Sequence, residues 1–412
     1  MALANENYLK TPQIFYSTDI EKRINAYKIL HPQSKIINLG AADVTRPLST
    51  EVTQALHKAV DEMSKAETFK GYSPFQGYDF LVEKIMKDYR SIGVSLDKES
   101  IFVNTGAKSD VGNIGHVLGH DNIVALADPV YPIYENATIM SGRAGELWEN
   151  GKWSNIVYLT CSEETDFIPQ LPEEHVDVIY MCNPCNPTGV AVDRKELKKW
   201  VDYAIENKSI IIYDGAYSEF INNPDIPRSI YEIKGAKKVA IELRTYSKMA
   251  GFTGLRCGYS IMPTELTVYT KMEEKVPFIE LWKRRNVNYT NGVSYLVQRG
   301  AEAVYSRKGK KEIKELVEYY LTNARTLKKE FEKMGHKAYG AENAPYVWLK
   351  IKGERDSLQF FHHLLYDYAI TATPGIMFGP LGEGFIRFTG FASREDTLEA
   401  LERINEKKYK IE

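Results

Sequence analysis

At 412 residues the chain is long enough for one large domain beside a smaller one. Hydrophobic residues at 43% and charged residues at 26% are ordinary for a soluble globular protein, and a net charge of −2 offers no general attraction to nucleic acid or to an anionic membrane. No apolar run approaches a membrane span, and the first residues, Met1-Ala2-Leu3-Ala4-Asn5-Glu6-Asn7, carry neither a basic start nor an apolar core, so a cytosolic protein is expected.

Residues before about Pro47 read as an arm plus one strand over 35–39, expected to pack with the far end of the chain (segment 1–47). Short apolar runs over 100–104, 122–127, 176–181, 209–213 and 238–243 read as buried strands. Amphipathic stretches such as 193–206 lie between several of them. This alternation predicts an α/β fold with a mainly parallel sheet flanked by helices, here a large domain over 48–293. In such sheets ligands bind beyond the carboxyl ends of the strands. After about Val293 a charged helical stretch over 310–334 leads to short strands around 344–351 and 384–389, a smaller α/β domain over 294–412. Neither internal repeats nor low-complexity segments interrupt the pattern.

Chemistry-bearing residues follow the predicted strands. Gly106-Ala107-Lys108-Ser109 ends one strand and opens a helix, whose first N–H groups suit a phosphate. Tyr131, in Asp128-Pro129-Val130-Tyr131-Pro132, suits stacking on a flat ring, although many of the 27 tyrosines must simply be core. Asn183-Pro184-Cys185-Asn186-Pro187-Thr188-Gly189 comes next, its prolines stiffening the loop around Asn186. Asp214-Gly215-Ala216-Tyr217 closes an apolar strand; the plainer reading of Asp214 is a helix cap. Last comes Tyr246-Ser247-Lys248-Met249-Ala250-Gly251-Phe252-Thr253-Gly254-Leu255-Arg256.

One lysine among small residues, an aspartate, a tyrosine and several phosphate ligands are the parts of a pyridoxal phosphate (PLP) site. Lys248 is the expected Schiff-base lysine, since a partly desolvated amine near Arg256 loses its proton more readily; alone it would read as a surface lysine in a glycine-rich loop. Asp214 suits the pyridine nitrogen, Tyr217 and Asn186 the phenolic oxygen, and Ser247 and Arg256 the phosphate. Arg387, in Gly384-Phe385-Ile386-Arg387-Phe388, alternates with large apolar residues and needs a partner, either a substrate α-carboxylate or an internal acid.

Other patterns carry less. Cys182 and Cys185 form a Cys-x-x-Cys without a second pair, and with Cys161 and Cys257 they read as reduced structural thiols. His116 and His120 have metal spacing but no third ligand nearby, so no metal is expected.

Together these motifs resemble the fold-type-I PLP aminotransferases of class I/II, and within them the LL-diaminopimelate aminotransferase family. The likeness extends through Ile37-Asn38-Leu39-Gly40, Asp43-Val44-Thr45-Arg46-Pro47-Leu48, Gly71-Tyr72, Gly106-Ala107-Lys108-Ser109-Asp110, Pro227-Arg228-Ser229-Ile230-Tyr231-Glu232 and Asn291-Gly292-Val293-Ser294-Tyr295. The resemblance implies that Lys248 binds the cofactor aldehyde, that Asn186, Asp214 and Tyr217 hold its ring, and that Ala107, Lys108, Ser247 and Arg256 hold its phosphate. It places Arg387 at the substrate carboxylate, with Lys108 facing the substrate as well. It also implies a homodimer whose active sites borrow residues from the partner, Asn291 among them.

The departures fall on the substrate side. Phe75, in Gly71-Tyr72-Ser73-Pro74-Phe75-Gln76-Gly77, stands where the family usually has an acid for the distal ammonium of diaminopimelate. A phenyl ring accepts no such bond, although it can face a cation or a planar guanidinium. Phe15 falls where the family has a substrate-contacting tyrosine, Thr105 replaces an acid, and Ala41-Ala42 replaces a more usual Ile-Gly. The expectation is an aminotransferase on a free amino acid with altered specificity and 2-oxoglutarate as acceptor. Two alternatives stay open: a PLP-dependent lyase or cyclodehydratase on a cationic amino acid such as a hydroxylated arginine, and a non-catalytic PLP-fold binding protein.

Overall fold

The computed structural model describes residues 1–11, 17–353 and 356–406. Strand β1 (Ile37–Asn38) follows an N-terminal helix, Ser17–Leu30. Seven strands then build the large sheet: β2 (Ile101–Asn104), β3 (Val124–Asp128), β4 (Ile156–Thr160), β5 (Val178–Cys182), β6 (Ile210–Asp214), β7 (Ala240–Thr245) and β8 (Gly258–Ile261). Their order across the sheet is β2-β8-β7-β6-β5-β3-β4. From β7 to β4 every pairing is parallel, while β8 runs antiparallel to both its neighbours.

The sheet is buried on both faces, which is why its central strands are continuous apolar runs. Along β6, Ile211 and Tyr213 join one apolar cluster, and Ile210 and Ile212 join the cluster on the opposite face. The helix Arg194–Glu206 covers the first face with Leu197, Trp200, Val201 and Ala204, the spacing of one helical stripe. Asp193 caps it, accepting the Glu196 N–H at 2.8 Å.

Register positions the functional loops. Cys182 lies opposite Asp214 in the β5–β6 pair, so the two loops beyond them leave the sheet side by side. Gly258 lies opposite both Asn104 and Thr245, which brings the ends of β2 and β7 to one place. Only glycine fits there: an added Cβ would stand 2.5 Å from the Arg244 carbonyl oxygen and 2.7 Å from Asn104 Oδ1.

A hairpin of β9 (Thr267–Tyr269) and β10 (Lys275–Pro277) follows. The long helix Arg307–Lys333, capped by Ser306, leads to β11 (Ala338–Gly340), β12 (Tyr346–Lys350), β13 (Ile370–Thr371), β14 (Thr373–Pro374) and β15 (Phe385–Thr389). Four of these form an antiparallel sheet in the order β11-β12-β15-β14. Strand β1 pairs in parallel with β13, and Ile37 and Leu39 are buried in the same cluster as Ile370 and Phe388.

Several boundaries differ from the sequence reading. Ser100 belongs to a 3-10 turn before β2, and β7 begins at Ala240 because 236–238 forms another such turn. β4 and β8 were not expected. β4 is an edge strand with only Ile156 and Leu159 buried, and β8 opens on a glycine and contains a serine. Phe15 lies outside the described residues.

Candidate active site

Lys248 sits in a four-residue helix, Tyr246–Met249, at the end of β7. Thr245 caps that helix, its Oγ1 accepting the Ser247 N–H at 3.1 Å. The Lys248 ammonium donates to the Ala42 carbonyl and lies 5.5 Å from the centroid of the Phe391 ring. Burial lowers its pKa to about 8, opposed by Asp43 and helped by Arg387 and Arg256. An amine in this range is part neutral near neutrality, as a nucleophile and proton carrier requires.

Beside it, Arg256 has φ of 64°, left-handed backbone that a non-glycine residue adopts at a cost of about 1–2 kcal/mol. Its guanidinium reaches Ser247 Oγ at 3.3 Å and the Thr253 carbonyl at 3.2 Å. Across from it the helix Ala107–Ile114 starts behind Gly106, whose φ of 112° is accessible to glycine alone. An added Cβ at Gly106 would come within 2.8 Å of Arg256 Nη2. Asn104 braces this turn, accepting the Gly106 N–H at 2.8 Å and donating to the buried Asp110 at 2.6 Å. Helix N–H groups, a serine hydroxyl and a guanidinium thus surround one small space. The donor set fits a phosphate. Ala107 is buried at the helix start, and Lys108 is exposed beside it.

Asp214 is buried at the end of β6. Tyr134 Oη donates to its Oδ2 at 2.7 Å and the Ala216 N–H to its Oδ1 at 3.0 Å. Burial raises its pKa against these bonds. A buried carboxylate served by a phenol and an amide fits a protonated ring nitrogen, whose charge would restore the ionised form. Tyr131 stands edge-on to Tyr134 with ring centroids 5.8 Å apart, and burial pushes its phenol up to about 12.

Asn186 and Arg387 meet at 2.6 Å, Nη1 donating to Oδ1. Arg387 Nη2 also donates to the Gly40 carbonyl at 2.8 Å and to Thr373 Oγ1 at 3.2 Å. Its Nε is buried with no hydrogen-bond partner, and the planar group lies between Tyr346 and Phe378, 4.7 and 4.8 Å from their ring centroids. No acid pairs with it among the described ion pairs. A buried guanidinium held by neutral acceptors, with an N–H to spare, fits an incoming carboxylate. Tyr217 is buried nearby, its hydroxyl bonded to that of Tyr346.

The structure therefore gathers Lys248, Ser247, Arg256, Ala107, Asp214, Tyr217, Tyr131 and Asn186 beyond the ends of β2, β3, β5, β6 and β7, with Arg387 reaching them from the middle of β15. Phe75 and Asn291 lie elsewhere. Phe75 is half-buried against Phe102 of β2, ring centroids 6.5 Å apart, and Asn291 is exposed. Their loops touch, since a Cβ on Gly292 would meet the Pro74 carbonyl oxygen at 2.5 Å. Sequence reasoning missed Tyr134, Tyr346, Thr245 and the Ala42 carbonyl. Thr245 had a local signal, a hydroxyl capping the lysine turn; the others depend on tertiary approach.

Residues 34–404 match the family Aminotransferase class I and II. The chain belongs to that family. It is 51% identical to the LL-diaminopimelate aminotransferase of Phocaeicola vulgatus over 405 residues, covering 98% of this chain and 99% of the relative. It is 53% identical to that of Bacteroides fragilis over 406 residues, with the same coverage. Among solved structures, the L,L-diaminopimelate aminotransferase of Chlamydomonas reinhardtii superposes with a TM-score of 0.92 at 36% identity, covering 99% of both chains. This aminotransferase accordingly has the fold-type-I PLP transferase fold and depends on PLP. It is an enzyme, and the lyase alternative finds no support among these relatives. Among the described residues no helix is long and apolar enough to cross a membrane.

Proposed function

We propose that this aminotransferase moves the α-amino group of a free amino acid to a 2-oxo acid, with Lys248 as catalytic base and cofactor ligand. Bound PLP supplies the electron sink that lets the α-proton leave as a proton. Arg387 binds the donor's α-carboxylate through its fork, which points the α-carbon toward Lys248. Lys248 Nζ would take that proton and give it back, acting first as general base and then as general acid. Asp214 would keep the ring nitrogen protonated, Tyr217 and Asn186 would hold the phenolic oxygen, Tyr131 would lie against the ring, and Gly106-Ala107-Lys108, Ser247 and Arg256 would hold the phosphate. The observation that carries the reading is a lysine with a pKa near 8 flanked by the two arginines that the phosphate and the carboxylate require.

The named relatives make LL-diaminopimelate the first donor to test. We propose that specificity has nevertheless shifted at the far end of the donor, where Phe75 replaces an acid. The loop that carries Phe75 also carries the exposed Tyr72, and it touches the loop of Asn291. Such a surface supports a homodimer in which these loops reach the partner's active site, as an isologous interface permits. A cytoplasmic enzyme built of segments 1–47, 48–293 and 294–412 completes the proposal.

Stoichiometric PLP-loaded enzyme, mixed without an oxo acid with LL-diaminopimelate, lysine, arginine or γ-hydroxyarginine, tests it. Conversion of cofactor to pyridoxamine phosphate with release of the matching oxo acid identifies the donor. A product short of one water with its nitrogen retained and the cofactor unchanged would overturn transamination.

A further inference from the structure

Tyr346 lies in the site without belonging to any motif. It is fully buried on β12, its ring edge-on to that of Tyr217 at 5.1 Å between centroids and 72° between planes. The two hydroxyls are hydrogen-bonded to each other. On its other side Tyr346 carries the Arg387 guanidinium over its ring, and Arg387 in turn holds Asn186. Tyr217, Tyr346, Arg387 and Asn186 thus form a continuous chain of contacts. Two of them, Tyr217 and Asn186, are the residues proposed above to hold the cofactor's phenolic oxygen.

A phenol has one proton to give. If Tyr217 donates to the cofactor, its bond with Tyr346 must use a Tyr217 lone pair and the Tyr346 proton. We propose that Tyr346 is a positioning residue for transamination: it donates to Tyr217 Oη and so commits the Tyr217 proton to the phenolic oxygen of PLP. The inference rests on the placement of Tyr217 at that oxygen. Burial raises both phenols, Tyr217 well above its ordinary value and Tyr346 to about 12, so both keep their protons across the working pH range. Hydrogen bonds in series polarise one another, which makes Tyr217 a stronger donor than it would be alone. A stronger donor stabilises negative charge on the phenolic oxygen. That charge is least compensated in the high-pH form of the lysine-bound cofactor, so the pair of tyrosines lowers the pH of its spectral transition.

The test is a pH titration of the holoenzyme absorbance in wild type, Tyr217→Phe, Tyr346→Phe and the double variant. We expect Tyr346→Phe to raise the transition by about half a pH unit, Tyr217→Phe to raise it further, and the double variant to match Tyr217→Phe. An unmoved transition in Tyr346→Phe, with Tyr217→Phe shifted, would overturn the inference alone. Equal Tyr346→Phe shifts with and without Tyr217 would do the same, since the effect would not pass through Tyr217. No shift in Tyr217→Phe would overturn both this inference and the placement on which it rests. The double variant leaves neither hydroxyl unpaired, so it guards against a folding artefact.

Discussion

Arg387 Nη1 and Asn186 Oδ1 are 2.6 Å apart, a bond that ties the small sheet to the loop beyond β5 of the large one. Both partners are buried, and the same guanidinium also donates to the Gly40 carbonyl and the Thr373 hydroxyl while lying against the Tyr346 and Phe378 rings. A fork so held has little rotational freedom left to lose when a carboxylate arrives.

Replacing Arg387 by lysine keeps the charge and discards the fork. Each charge-assisted bond is worth about 1.5–3 kcal/mol, so kcat/KM for the amino donor should fall about a hundred-fold or more. Steady-state kinetics with donor varied would show it, while the absorbance of bound cofactor stays near that of wild type. A fall of less than about three-fold would place the carboxylate elsewhere.

Lys248 gives a pH dependence with a definite sign. Its pKa lies below the ordinary 10.5, at about 8, because burial disfavours the ammonium. Only the neutral amine attacks the cofactor aldehyde, so the rate at which the apoprotein takes up PLP should rise with pH and level off above about 8. A rate still climbing toward pH 10 would show an ordinary lysine. Lys248→Ala should abolish turnover; persisting catalysis would remove this residue from the mechanism.

Gly106→Ala addresses the phosphate space. A Cβ there meets Arg256 Nη2 at 2.8 Å, on backbone with φ of 112°. The strained backbone costs about 1–3 kcal/mol, and displacement of Arg256 weakens the anion site further. We expect a Kd for PLP raised about ten-fold or more by fluorescence titration of the apoprotein. Unchanged affinity would mean that the phosphate binds away from this turn.

Phe75→Glu probes the far end of the donor. A carboxylate at this position should raise the preference for a donor with a distal ammonium over one without, by about ten-fold in the ratio of kcat/KM values. The comparison of LL-diaminopimelate with 2-aminoheptanoate would measure it. No change in the ratio would detach residue 75 from specificity.

The parts that were legible from sequence share one property: local signals carried them. Ile210-Ile211-Ile212-Tyr213 is apolar throughout because both its faces are covered, and Asp214 stands out against that run. Gly106 and the Lys248 turn announce themselves in the same way. Tyr134 and Tyr346 do not, since a tyrosine among 27 has no mark until Asp214 or Tyr217 is brought to it. β8 stayed hidden because Gly258 looks like a strand breaker, when the close approach of Arg244 and Asn104 is what demands it. Arg387 could be singled out as a charge needing a partner, yet only the fold shows that its described partners are the neutral oxygens of Asn186, Gly40 and Thr373. Phe75 and Asn291 were assigned by resemblance, and in this chain Phe75 packs half-buried against Phe102 while Asn291 is exposed.

The tripeptide after β1 carries its own consequence for biogenesis. Gly40 offers its carbonyl to Arg387 and Ala42 offers its carbonyl to Lys248, yet the strand before them is anchored by β13. Asn38 and its partner Thr371 are 333 residues apart. The ribosome therefore delivers the start of the chain long before the strand that seats it. During that interval the large sheet can fold around Lys248 while neither cation has its carbonyl and Arg387 does not yet exist. The proposed catalytic centre is thus completed only once the last strands have emerged, after the main sheet is already whole.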